Sequence, residues 1–275
     1  MDRNPGLEKL CLHTITTRPW SLDEAVDAYC ANGVSGISVW QDAALKTGLS
    51  QAAKILSASD LSVVSYVRGG FFPHPSDIQR QKAIDHNRKM LDEAALLGAP
   101  LLVMVCGASP DQSLATSRDQ ILTGLESILP YAESLGVRLG IEPLHPMYAD
   151  TRSAICNLQT ANDIAEKLAH PDCGVVVDVY HLWWDPQVEI EIIRCGQAGN
   201  LFAYHICDWK VPTVDMLNDR GLMGEGCIPL KQIRGWIEKA GFQGFHEVEI
   251  FSEHHWNRDQ HEFLRDIVRA YQDHS

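Results

Sequence analysis

Residues 174–185 read GVVVDVYHLWWD. The unbroken Val175-Val176-Val177 run shows no polar alternation, so a strand here must be buried on both faces, as parallel strands under helices are. The run stops on Asp178. A carboxylate closing such a strand is costly to bury alone, and a cation is a natural partner for it.

Working outward, similar apolar or β-branched runs recur along the whole chain. They are LCLHTIT (10–16), GISVW (36–40), LSVVSYV (61–67), PLLVMVCG (100–107), VRLGIEP (137–143), LFAYHIC (201–207) and FHEVEIF (245–251). With residues 174–180 they make eight candidate strands. Amphipathic stretches separate them, among them SLDEAVDAYCANG (21–33), 78–98, 160–169 and 229–241. In the first, Leu22, Ala25, Val26 and Tyr29 recur at helical spacing behind a Ser N-cap. Eight strands, each followed by a helix, give an α/β chain whose fold is a single (β/α)8 TIM barrel across residues 1–275. A doubly wound sheet is the competitor. It would carry a Gly-rich phosphate turn after its first strand, and LCLHTITTRPW has none.

Composition narrows the partners. Lys and Arg total 23 against 36 Asp and Glu, a net charge of −13 that disfavours nucleic acid. The opening MDRNPGLEKL has no basic start with an apolar run, so no signal peptide is expected. No apolar stretch is long enough to cross a membrane as a helix. The eight cysteines form no C-x-x-C pair and read as small core residues of a reduced cytoplasmic protein.

In this fold, residues at strand C-termini face the active-site mouth. The last four candidate strands end in Glu142, Asp178, His205 and Glu249, spaced by 36, 27 and 44 residues. Each interval is about one β/α unit, so the four should converge on the barrel axis. Alone, each is more simply a salt-bridged or capping residue; the coincidence on four strands carries the metal reading. Three carboxylates and one imidazole suit one divalent ion, Mn²⁺ foremost, with Co²⁺, Mg²⁺ and Zn²⁺ as alternatives.

The motifs IEPLHP, VVVDVYHLWWD, YHICDW, MGEG and GFQGFHEVEIF resemble those of the sugar phosphate isomerase/epimerase family. These are the xylose isomerase-like barrels that include ketose 3-epimerases and inosose dehydratases. The resemblance implies that Glu142, Asp178, His205 and Glu249 bind the catalytic metal. It further implies that Glu142 and Glu249 exchange protons with substrate and that His181 contacts substrate oxygens. The expected reaction is sugar isomerisation or epimerisation by proton transfer beside a carbonyl, through a metal-stabilised enediolate. The substrate is expected to be a sugar or oxidised sugar, with homo-oligomerisation left open.

Other positions carry two readings each. His145 is a proton donor or acceptor, or a loop-packing residue. Asp208 and Lys210 orient His205 or bind substrate, or form a surface salt bridge. Glu225 lies on a loop that the resemblance puts over the site, or on a plain turn. Trp40 and Trp184 offer a wall for a sugar ring, as Trp183, Trp209 and Tyr66 do, or are core. The HHW cluster at 254–256 reads as a solvated loop.

Ketose 3-epimerases of the family usually carry a further Glu beyond the strand-five Glu, where this chain has His145 and Tyr148. They also place an Arg beyond the metal His, where the nearest basic residue here is Lys210. A metal-dependent lyase (a dehydratase or 3-oxo-glycoside deglycosidase with His145 as acid/base) is therefore the second reading. A non-catalytic sugar-binding or partner subunit is the third.

Overall fold

The computed structural model describes residues 6–275; the first five residues, where the segment read as lacking a signal peptide begins, lie outside them. Eight parallel strands close a barrel in chain order: β1 (Leu10–His13), β2 (Gly36–Trp40), β3 (Ser62–Gly70), β4 (Leu101–Val105), β5 (Arg138–Ile141), β6 (Cys173–Asp178), β7 (Leu201–Ile206) and β8 (His246–Val248). Closure is made by β8 against β1, with Leu10 opposite His246 and Leu12 opposite Val248. Helices follow the strands and cover the outside, so β4 and β6 are buried at every position.

Strand alternation divides the apolar residues into two cores. Leu102, Met104, Val175 and Val177 belong to the large cluster shared with the helices. Their neighbours Leu101, Val103 and Val176 join Val67 and Ala203 in a small cluster. The same period sends Asp178 with Val176, His205 with Ala203, and Glu249 with Glu247 to the inside of the barrel. Interior packing is thus apolar low in the barrel and polar toward the C-terminal mouth.

Local signals set the helix ends. Ser21 and Glu24 form a reciprocal capping box on helix Leu22–Ala31. Helices Asp77–Leu97 and Leu114–Leu135 stop at Gly98 and Gly136, both left-handed. Among the described residues no helix is long and apolar enough to cross a membrane.

Two sequence expectations change here. All eight cysteines are free, but Cys30 and Cys227 are exposed and Cys156 is half-buried, so only Cys11, Cys106, Cys173, Cys195 and Cys207 are core residues. The HHW segment is not a solvated loop. It lies in a helical turn, Glu253–Trp256, where the Trp256 indole donates to the Ile15 carbonyl (2.9 Å) and His255 stacks on Phe263. Only His254 of the three is exposed, because the turn packs its other two rings against the loop after β1 and against Phe263.

Candidate metal centre and its cavity

Glu142 follows β5, Asp178 ends β6, His205 lies within β7 and Glu249 follows β8. Their ligand atoms all lie within 4.8 Å of one another, and all four residues are buried. Opposite ligands of one small divalent ion are about 4 Å apart, so the span is close to what a single ion requires. His205 Nδ1 stands 3.0 Å from Glu142 Oε1, yet neither atom has a hydrogen-bond partner. Two buried, unsatisfied ligand atoms facing each other suit a shared cation. The charge field agrees. Burial pulls the His205 imidazole down, but Glu247, Glu142 and Glu249 outweigh it and lift its pKa to about 10. A pocket that favours a positive charge so strongly also favours a metal ion. Burial raises the Asp178 carboxyl above its ordinary range, against the pull of Arg220. At Glu249 burial is outweighed by His13 and Arg220, which hold the carboxyl well below its usual range.

A second polar layer lies beneath this one. Glu247 Oε2 accepts from Ser38 Oγ (2.6 Å) and Ser65 Oγ (3.1 Å) and stands 3.2 Å from His13 Nε2. It is also 3.7 Å from His205 Nε2, and His13 Nδ1 lies 3.1 Å from Glu249 Oε1. Glu247 therefore stands within ion-pair distance of the ring nitrogen of His205 that faces away from Glu142, and His13 links Glu247 to Glu249. His13, His205 and Glu247 could themselves hold an ion. Their carboxylate oxygen is already engaged by two hydroxyls and an imidazole, whereas Glu142 and Glu249 border a cavity; the upper group is the better metal site. The signal for Glu247 was present in the sequence, since Glu247-Val248-Glu249 puts two carboxylates on one strand face.

Arg220 is the main residue that the sequence reading missed. It sits on a two-stranded antiparallel ribbon formed by Asp208–Trp209 and Arg220–Gly221. Its guanidinium reaches Glu249 Oε2 (2.8 Å) and Asp178 Oδ2 (3.1 Å) and lies over the Tyr180 and Phe251 rings. His181 is next to it, with Nε2 3.3 Å from Arg220 and 3.6 Å from Asp178. Burial and then Arg220 hold His181 well below its normal pKa, so its ring is neutral.

The remaining expected residues divide between cavity and scaffold. Trp40 lines the cavity, and its indole N–H points to His13 Nδ1 (3.1 Å). The Trp184 indole donates to the His181 carbonyl (2.8 Å) and so backs the cavity rather than lining it. Asp208 accepts from the backbone N–H groups of Gly224, Gly226 and Ile228 at 2.9–3.0 Å, folding the MGEG loop. Lys210 pairs with Asp219 and staples the ribbon that carries Arg220. Glu225 accepts from the Leu222 N–H and lies 3.4 Å from His255. His145 packs against Trp209 and Trp184, and burial lowers its pKa. None of Asp208, Lys210, Glu225 and His145 is among the residues lining the cavity, which include Trp40, Arg68, Glu142, His181, Arg220 and Glu249.

With this geometry in place, comparison with known proteins fixes the class. Residues 26–267 match the family model of the xylose isomerase-like TIM barrel, and the chain belongs to that family. An inosose isomerase from Bacillus licheniformis is 23% identical over 202 residues, 71% of this chain and 69% of that protein. The crystal structure of protein SMc04130 from Sinorhizobium meliloti 1021 is 45% identical, with a TM-score of 0.94 over 97% of this chain and 98% of that one. The crystal structure of the IOLI protein with a bound zinc atom shares the fold at 19% identity, with a TM-score of 0.84 over 96% of this chain and 97% of that one.

Proposed function

We propose that this chain is a divalent-metal-dependent isomerase or epimerase of a sugar or polyol ketone. The observation that carries this reading is that two carboxylates of one candidate metal cluster, Glu142 and Glu249, line the same cavity. Glu142, Asp178, His205 and Glu249 would hold the ion. When bound, it would polarise a ketone oxygen and its neighbouring hydroxyl, acidifying the C–H bond beside the carbonyl.

The protein's own groups then divide the work. β5 and β8 stand three strands apart around the barrel, so Glu142 and Glu249 approach a substrate from different sides. One carboxylate, entering ionised, removes the proton; the same group then returns it to the neighbouring carbon, or the other, entering protonated, delivers its own proton to the opposite face of the same carbon. Arg220 keeps Glu249 ionised and presents N–H donors to the oxygen on which negative charge develops. Neutral His181 adds a hydrogen-bonding group at the same wall. Likeness to an inosose isomerase supports a polyol ketone as substrate, and the zinc of the IOLI protein supports a divalent ion. Free cysteines, with five in the core, support a reducing, cytoplasmic setting. The lyase alternative draws less support, because His145, its acid/base, packs between two Trp rings off the cavity lining.

The test is metal analysis of the purified protein, then NMR of the metal-loaded protein with a panel of ketoses and 3-oxo-glycosides in D₂O. The expected result is deuterium at the carbon beside the carbonyl of a recovered ketose, with its skeleton intact. An unsaturated or cleaved product would instead make the protein a lyase. Tight binding with no exchange in any ketose would make it a binding subunit.

A further inference from the structure

Arg68 and Arg152 are half-buried residues lining the cavity that Glu142 and Glu249 border. Neither guanidinium makes a hydrogen bond or ion pair with a described residue. Each rests on aromatic rings instead: Arg68 lies 4.8 Å from the centre of Phe71 and 5.8 Å from that of Trp40, and Arg152 lies 5.4 Å from that of Tyr148. The Phe71 shelf is itself held in a left-handed conformation, φ 55°, which bulky residues seldom adopt. Stacking fixes the planes of the two guanidinia and leaves their N–H edges without a partner.

Charge balance shows what is missing. Glu142, Asp178 and Glu249 with one divalent ion retain a single negative charge, and Arg220, bonded to two of those carboxylates, cancels it. Glu247 is matched against His13 in the layer below. Arg68 and Arg152 are then two cations in one cavity with no counter-charge. Burial and repulsion from Arg152 both lower the Arg68 pKa, while Glu142 and Glu249 act against them. In a chain of net charge −13, such a concentration is the reverse of the average surface. An arginine pair of this kind matches the planar oxygens of a carboxylate or the oxygens of a phosphate.

Resting on the isomerase reading above, we propose that the substrate is an anionic ketose, with its carbonyl end at the carboxylate cluster and a carboxylate or phosphate substituent held by Arg68 and Arg152. A neutral sugar would leave both guanidinia desolvated without compensation when it filled the cavity.

The test is calorimetric titration of the Mn²⁺-loaded full-length protein with D-fructose, D-fructose 6-phosphate and D-fructuronate. At least one of the two anions is expected to bind about tenfold or more tightly than fructose, as charge-assisted bonds to two arginines require; which one identifies the substituent. In the Arg68→Gln/Arg152→Gln double variant that preference should shrink to within about threefold of fructose. A thermal melt within a few degrees of the parent would show that both side chains are dispensable for folding. Equal binding of all three ligands, an anion preference that survives in the double variant, or no binding of any of them would overturn the anionic class. Solvent-deuterium exchange into a neutral ketose would leave the isomerase reading standing in each of those cases.

Discussion

Glu142→Gln and Glu249→Gln are each expected to slow solvent-deuterium incorporation into the exchanged ketose by about 10³-fold or more. A positioned acid/base group contributes about 10²–10⁴-fold, and each substitution also removes a negative charge from the ion's surroundings. The two variants should differ in structure. Glu249 is bonded to Arg220 and close to His13, so Gln there leaves a guanidinium facing only Asp178. Glu142 faces His205 Nδ1 alone among the charged groups within ion-pair distance, so its loss disturbs less. Glu142→Gln should accordingly melt close to the parent, and Glu249→Gln lower. Metal content measured on each variant separates loss of the ion from loss of the base. Full exchange activity in either one, with metal bound, would refute the assignment of that residue.

The second large effect belongs to a residue that would not touch substrate. Glu247→Gln is expected to weaken divalent-ion binding by about 10–100-fold, the usual cost of removing a group that orients a ligating histidine. It should also destabilise the fold by about 3 kcal/mol, because a buried charge cluster loses one partner. The mechanism is the contact between Glu247 and His205 Nε2, together with the His13 link to Glu249. Burial raises the Glu247 carboxyl, but His205, His13 and Ser38 outweigh this and hold it below its ordinary value. A lowered folded-state pKa gives stability that is present above the unfolded value of about 4.3 and lost as the pH falls through the folded value. The Gln variant should therefore show a shallower loss of stability in acid than the parent. Cobalt(II) titration followed by visible absorption measures the affinity, and denaturant melts at several pH values measure the rest. Unchanged cobalt affinity would remove Glu247 from the metal centre.

The sequence carried the barrel because burial on both faces leaves a visible mark. Runs such as GVVVD and PLLVMV cannot be surface strands, and eight of them separated by amphipathic helices admit few closures. Boundaries were less legible: β3 continues past Val67 through Arg68 to Gly70, paired with β4 across a register shift that RGG does not announce. The four upper carboxylate and histidine residues could be read because they end apolar strands, where a charge is out of place. Arg220 could not. It lies in the polar segment NDRG, 15 residues beyond His205, which reads as a solvated turn. Only the ribbon, held by Asp208 and by the Lys210–Asp219 pair, swings it over the barrel mouth. His13, Ser38 and Ser65 were hidden differently. Each is a polar residue in one of the first three strands, His13 at the end of β1 and Ser38 and Ser65 within β2 and β3, and only the closed barrel places all three around Glu247.

The proposed chemistry requires one ion among Glu142, Asp178, His205 and Glu249. Crystals grown with Mn²⁺ and measured at an X-ray energy that excites manganese locate it directly. One strong anomalous peak is expected about 2.0–2.3 Å from an oxygen of each carboxylate and from His205 Nδ1. A peak seated instead among His13, His205 and Glu247, or no peak at the barrel mouth in crystals saturated with metal, would contradict the proposed chemistry.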